Sequence, residues 1–304
     1  MYRLLLINMR FWRGRTALMF VAMTGILVTL GSIIGYVFNR MWTGFYIMLV
    51  LSIVISFVSY FFSKNMALAA NNVHMVTREQ EPRLYSTVER LANKAGLPMP
   101  EVGVSDVNMP NAFATGRNPK NAAVVATRPL LNMLSDDELE GVLAHELSHV
   151  KNRDILVMSV ASAMASIVSY VARIAVWSAV FNDRDNPGGL VIAILADLTL
   201  PFAAMLIQLG VSRNREYLAD ESGARLTGKP MALANALRTL ETGCSSRSNN
   251  YSNPSGANMW ITNPFGKKNE GMLVNLFRTH PSTEERVERL MQLDEELNGV
   301  RHFY

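Results

Sequence analysis

The chain has 304 residues, only 18% of them charged, with a mean hydropathy of +0.13, a net charge of +4 and a pI near 9.2. That is length for one large domain or two small ones, and too apolar for a typical soluble enzyme unless the apolar residues cluster into membrane spans. A single cysteine, Cys244, excludes an intrachain disulfide framework and any cysteine-rich zinc site, while the basic residues crowd beside apolar runs without a nucleic-acid recognition motif, so no nucleic-acid partner is expected.

Arg3, Arg10, Arg13 and Arg15 precede an uninterrupted apolar run over residues 17–38, and a second run over 41–62 follows after Asn39 and Arg40. Each exceeds the roughly 20 residues that cross a bilayer core. The first is too long for a signal-peptide core and shows no cleavage site, so it reads as an anchor. Residues 1–16 therefore form a cytoplasmic segment and residues 17–62 a first transmembrane hairpin.

Residues 63–154 read as the first part of a soluble domain. Helical periodicity covers 81–95 and stops at Gly96, and residues 101–105 alternate as a short strand. Two further strands, 111–116 and 122–127, are joined by a polar turn at 117–121. The stretch Asn111, Ala112, Phe113, Ala114 is a candidate to receive an extended peptide by strand addition; the alternative is a hairpin that only closes the sheet.

Ser135 then opens a helix, with Glu138 completing a capping box, Leu134 and Leu139 at hydrophobic-staple positions, and an apolar stripe of Leu139, Val142, Leu143 and Leu147. On it, His145, Glu146 and His149 spell H-E-x-x-H. Residues four apart share a helix face, so two imidazoles can bind one Zn2+ with the adjacent glutamate as general base. The alternative is an amphipathic helix with two surface histidines.

Residues 155–181 and 188–211 are two more long apolar runs, interrupted by Arg173 and Asp197 and joined by a short polar turn. As an antiparallel hairpin they bring those charges to similar depth, which predicts a buried Arg173–Asp197 pair; as soluble core helices they would keep the zinc region away from the bilayer. Lys64, Arg213, Arg215 and the N-terminal arginines flank the spans on one side, placing both termini and the soluble mass in the cytoplasm. In residues 212–304, an amphipathic helix covers 230–242, a Ser/Asn/Gly-rich loop covers 244–271, and Ser282 with Glu285 caps a last helix.

A catalytic zinc generally takes three protein ligands. Asn152 and Ile155 stand where an extended H-E-x-x-H-x-x-G-x-x-H motif needs Gly and His, so the third comes from elsewhere: another histidine (His74, His280 or His302), or a downstream glutamate. Glu216, with Asp220 four residues on to orient the site, fits the second arrangement. Both motifs adjoin an apolar run and lie within roughly 10 Å of the same membrane surface if their helices continue. Alternatively, the two acids only bind nearby arginines.

With its N-terminal span pair, N-A-F-A-T-G, A-H-E-L-S-H followed by N-R-D, a second span pair, R-E-Y-L-A-D and T-H-P…E-R, the chain resembles the HtpX-type membrane zinc metalloproteases, relatives of the CAAX prenyl proteases. The resemblance implies a mainly α fold with a small β-sheet: four transmembrane helices and a cytoplasmic gluzincin-like protease domain split by the second hairpin, residues 155–211. It implies one Zn2+ held by His145, His149 and Glu216, water activated by Glu146, and His280 and Arg286 near the scissile carbonyl. The expected activity is endopeptidase cleavage of misfolded or damaged membrane proteins at the cytoplasmic face of a bacterial inner membrane, with the bilayer and membrane proteins as partners. The rivals are a CAAX-type processing peptidase and a non-catalytic, zinc-stabilised adaptor.

Overall fold

The structure is a computed structural model that describes residues 2–37, 39–181, 213–245 and 281–299. It opens with two long antiparallel helices, α1 (Tyr2–Val37) and α2 (Met41–Ala70), joined by a turn in which Asn39 takes φ 55°. The two helices approach closely where glycines face each other. A Cβ on Gly44 would lie 2.0 Å from the Gly31 carbonyl oxygen, so only glycine fits this crossing. Trp42, Tyr46, Ile47, Val50, Ile53, Val54, Phe57 and Phe61 stand exposed on α2, while Ser52, Ile55, Ser59, Ser63 and Ala67 form its buried stripe. Large apolar side chains outside and small polar ones inside suit a helix whose solvent is lipid.

Among the described residues, Met41–Ala70 is the one helix long and apolar enough to cross a membrane; shorter apolar stretches occupy Ala17–Ile33 and Asp154–Ile167. The expected fourth span at 188–211, the Arg173–Asp197 pair and most of the 244–271 loop lie outside the described residues. The second apolar run ends at residue 62, yet α2 continues to Ala70. Its extra turns are held by the domain: Lys64 pairs with Glu101 at 2.7 Å, and the Asn71 carbonyl accepts from the Ser105 hydroxyl of the sheet at 2.5 Å.

Strand β1 (Val73–Met75), helix α3 (Pro82–Ala95, closed by Gly96 at φ 69°) and strands β2 (Glu101–Ser105), β3 (Ala112–Gly116) and β4 (Ala122–Thr127) follow. The sheet order is β1-β2-β4-β3, with β2 and β4 parallel and the outer pairs antiparallel. β3 is therefore an edge strand. Val102, Val104, Ala112, Ala114, Val124 and Ala126 face the main core, while Phe113 and Val125 pack on Ala67 of α2. The sheet thus rests on the end of the long apolar helix α2. β1 and the short helix α4 (Arg128–Met133) carry too few residues for a periodic signal and were not expected from the sequence.

Helix α5 (Asp136–Asn152) starts with the expected capping box: Glu138 Oε2 accepts from the Ser135 amide at 2.9 Å and Ser135 Oγ from the Glu138 amide at 3.4 Å. Arg83 of α3 fixes the same corner, donating to the carbonyls of Leu131 and Leu134 and pairing with Asp136. The apolar stripe predicts one buried face; the structure instead buries every residue from Leu139 to Val150. Its neighbours are α3, the sheet and helices α6 (Asp154–Phe181), α7 (Arg213–Thr227) and α8 (Pro230–Ser245), so α5 is the central rod of the domain. The first turns of α6 pack Leu156, Val157, Val160, Ala161 and Met164 against Met19 and Met23 of α1 and Ile55 of α2. A final helix, α9 (Thr283–Asn298), is capped by Ser282, whose side chain accepts from the Glu285 amide. The Glu285 carboxylate accepts from the Tyr217 hydroxyl at 2.6 Å, tying α9 to α7.

Candidate metal centre

The site forms where α5 and α7 cross. Because α5 is buried all round, His145 and His149 are 1% and 2% exposed and point into protein rather than solvent. Their Nε2 atoms lie 3.2 Å apart. Glu216 in the first turn of α7, itself 1% exposed, places its carboxylate oxygens 3.7 Å from His145 Nε2 and 3.5 Å from His149 Nε2. Of the described residues, these three form the group able to hold a metal ion, their ligand atoms all within 4.8 Å of one another.

Tetrahedral zinc with bonds near 2.0–2.1 Å separates its ligand atoms by about 3.3 Å. The donor set therefore fits zinc in both chemistry and spacing. Burial lowers the His145 pKa, which keeps its imidazole neutral and its lone pair available.

Each histidine is oriented from behind, and each orienting acid is met by an arginine. His145 Nδ1 is 2.9 Å from Asp220 Oδ1, one turn past Glu216 on the same face of α7. Asp220 receives Arg286 of α9 at 2.6 Å and 2.8 Å through two guanidinium nitrogens. Burial works to raise the Asp220 pKa, but Arg286 and His145 outweigh it and hold the carboxyl below the usual range. His149 Nδ1 is 3.3 Å from Asp154 Oδ2, and Arg215 contacts the other oxygen of Asp154. These contacts fix the ring orientation and leave Nε2 of each imidazole for the metal.

Asp154, the last residue of N-R-D, and Arg215, one of the basic flanks, were not assigned to the site from the sequence. The available signal was the acid five residues after His149, but only the structure shows the intervening Arg153 in the left-handed conformation (φ 61°), ending α5 so that α6 starts at once with Asp154 against His149. Gly223 of α7 was missed as well: a Cβ there would lie 2.8 Å from the His145 amide nitrogen, so the two helices touch backbone to backbone behind the site.

Glu146 is 5% exposed, and its Oε2 accepts from the Ala114 amide of β3 at 2.8 Å. Burial pushes its pKa up to about 7; His149, the Ala114 amide and Arg286 pull the other way, and Glu216 adds to the rise. A carboxylate poised near neutrality is suited to general-base work. The structure thus brings together His145, Glu146, His149, Glu216, Asp220, Arg286 and Ala114. Arg286, expected near the scissile carbonyl, is 1% exposed with its guanidinium on Asp220 and one nitrogen 3.5 Å from His145 Nδ1, across the ring from Nε2. His280 lies outside the described residues. Asn111, Ala112 and Phe113 are buried at the start of β3, with the Phe113 ring against Ala67 and Val125 rather than at the metal.

Comparison with known proteins agrees with this geometry. Peptidase family M48 matches over residues 78–294. A "Protease HtpX homolog" of Thermococcus kodakarensis is 46% identical over 93% of this chain and 96% of its own. Those of Pyrococcus furiosus and Ralstonia pickettii are 44% and 42% identical, over 94% and 92% of this chain and 97% and 96% of theirs. The crystal structure of S. mikatae Ste24p overlaps 93% of this chain and 66% of that one at 20% identity and a TM-score of 0.45, too low for its details to be transferred. The chain belongs to peptidase family M48 and is a zinc metalloprotease.

Proposed function

We propose that this protein is an integral-membrane endopeptidase that hydrolyses peptide bonds of misfolded or damaged membrane proteins at the cytoplasmic face of the plasma membrane. One observation carries the proposal: His145, His149 and Glu216 converge within 4.8 Å, with Glu146 beside them, in a domain whose sheet and α6 pack against Met41–Ala70, a helix long and apolar enough to cross a membrane. Hairpins over 17–62 and 155–211 would anchor a protease domain built from 63–154 and 212–304. The flanking basic residues favour cytoplasmic termini.

His145, His149 and Glu216 would hold Zn2+, which supplies Lewis acidity toward a substrate carbonyl and acidifies water. Glu146 takes a proton from the attacking water and returns it to the departing nitrogen. Its bond from the Ala114 amide keeps the carboxylate from rotating away, and burial gives it the basicity for the transfer. Asp220 and Asp154 hold the two imidazoles, and Arg286 neutralises Asp220 so that a buried anion is not left unpaired. His280, and the charge of Arg286, are the candidates for stabilising the developing oxyanion. The β3 segment Ala112 to Ala114, whose Ala114 amide meets Glu146, is the candidate to align an extended peptide.

The test is metal content and cleavage of an unfolded membrane protein by the wild type and Glu146→Gln. The variant should retain stoichiometric zinc and lose at least about a hundredfold in rate. Cleavage at the wild-type rate rejects the mechanism. Accessibility labelling of cysteines placed at residues 2 and 64 checks the cytoplasmic assignment.

A further inference from the structure

The polar turn between β3 and β4, residues 117–121, takes no part in the metal centre, and its backbone is pinned at both ends. Gly116 enters it at φ 138°, where a Cβ would lie 2.2 Å from the Asn121 carbonyl oxygen. The Asn118 side chain closes one turn of 3-10 helix, Pro119–Asn121, accepting from the Asn121 amide at 3.1 Å and from the Asn121 side-chain nitrogen at 3.0 Å. This frame carries two cations, the half-buried Arg117 and the exposed Lys120, and among the described residues neither pairs with a carboxylate. Glu101, which the β2–β4 register puts beside Ala123 just past the turn, is already taken by Lys64 at 2.7 Å.

Arg117 fixes the level of the turn along α2, because its guanidinium carbon lies 5.7 Å from the centre of the Phe61 ring. Phe61 is 47% exposed and is the last residue but one of the apolar run over 41–62. The Phe57 and Tyr60 rings lie 4.6 Å and 5.0 Å from it, and Phe57 and Phe62 are exposed as well. Aromatic rings clustered where an apolar helix gives way to Ser63 and Lys64 are the composition of a membrane–water interface. A cation–π contact leaves the guanidinium N–H donors for an anion.

We propose that Arg117 and Lys120 form a binding site for the phosphate of an anionic phospholipid, whose acyl chains lie along the exposed apolar face of α2. This rests on reading Met41–Ala70 as a membrane-spanning helix. Two cations without acid partners match the charge of a phosphodiester, and the apolar face runs on from the site through Phe61, Phe57, Val54 and Val50, all exposed on one side of the helix. The consequence for the protease is position. Arg117 is three residues along the chain from Ala114, whose amide holds Glu146, so the general base lies roughly 10 Å from the headgroup layer at about 3.3 Å per strand residue. A headgroup clamped on the turn sets the height of the metal centre over the bilayer.

The probes are two phospholipids with a photoactivatable diazirine in the acyl chain, one with a phosphatidylglycerol and one with a phosphatidylcholine headgroup. Each is added at low fraction to phosphatidylcholine nanodiscs carrying the full-length protein, and the cross-linked peptides are mapped. In the wild type the phosphatidylglycerol probe should label residues 54–61 in excess over the other. Arg117→Gln with Lys120→Gln should weaken phosphatidylglycerol binding about thirtyfold, the worth of two basic charges near an anionic surface, and bring the labelling down to the phosphatidylcholine level. Arg117→Lys with Lys120→Arg should keep the excess, and zinc content should be the same in all three proteins. No excess in the wild type, or an excess that survives in the glutamine variant, overturns the site while residues 50–57 still report the span. Loss of the excess on adding inorganic phosphate, but not chloride of equal ionic strength, assigns the cations to a free anion and overturns the lipid assignment. If neither lipid labels residues 50–57, the span reading itself fails.

Discussion

Gly223 and His145 meet through their backbones: a side chain on Gly223 would begin 2.8 Å from the His145 nitrogen and 3.0 Å from the Ala144 carbonyl carbon. The width of the metal centre is therefore set by how closely α7 can lie on α5. Gly223→Ala should raise the zinc dissociation constant, by up to about thirtyfold, because an overpacked helix contact costs about 1–3 kcal/mol and the gain in helix propensity, about 1 kcal/mol, offsets only part of it. Competition with a chelating dye gives the answer, and wild-type affinity in the variant would show that the crossing does not gauge the site.

Proton release should accompany metal binding. Without metal, burial holds the Glu146 pKa at about 7, so at pH 6 this carboxyl is mainly protonated and at pH 8 mainly charged. A dication beside it favours the charged form. Wild type should thus release nearly one more proton than Glu146→Gln when zinc binds at pH 6, and no more at pH 8. Calorimetry in buffers of different ionisation enthalpy measures the difference; equal release at pH 6 would contradict the poised carboxyl.

Asp154 and Asp220 should prove comparable in weight although only the second was visible beforehand. Replacing either by asparagine should weaken zinc binding about 10- to 100-fold, since each fixes one imidazole, and Asp220→Asn should also cost stability because it deprives the buried Arg286 of that carboxylate. Arg286→Leu should do more damage, destabilising the domain by about 3–5 kcal/mol, because it strands the buried Asp220 charge. Denaturation in detergent with and without chelator separates the two effects. An Asp154→Asn protein with unaltered affinity would remove Asp154 from the site.

The α1–α2 crossing offers a control within one helix pair. Gly44→Leu should lower the melting temperature in detergent by several degrees, as its Cβ would collide with the Gly31 carbonyl; Gly25→Leu, with nothing within 4 Å, should not. Equal tolerance at both positions would mean that the helices do not touch at Gly44.

Much of the local structure was legible because it obeys short-range rules. Ser135 and Glu138 cap α5, Gly96 ends α3, and alternation marks β2. Where the sequence reading fell short, tertiary contacts had overridden the pattern. α2 outruns its apolar stretch because Lys64 meets Glu101 and the Asn71 carbonyl meets Ser105 in the domain. α5 is buried on every side because other elements surround it, so its charged Glu140 sits 8% exposed between Arg90 and Lys229.

By itself, the sequence determined the ligand types and their spacing on each helix, since H-E-x-x-H and E-x-x-x-D each place their residues on one helical face. What the tertiary structure decided is everything that depends on distances across the chain. It brings Glu216 to the two histidines, ties Asp154 back onto His149 and seats Arg286 on Asp220. Periodicity reports which face a residue occupies; only packing, here through the glycine contact between α7 and α5, fixes what that face meets.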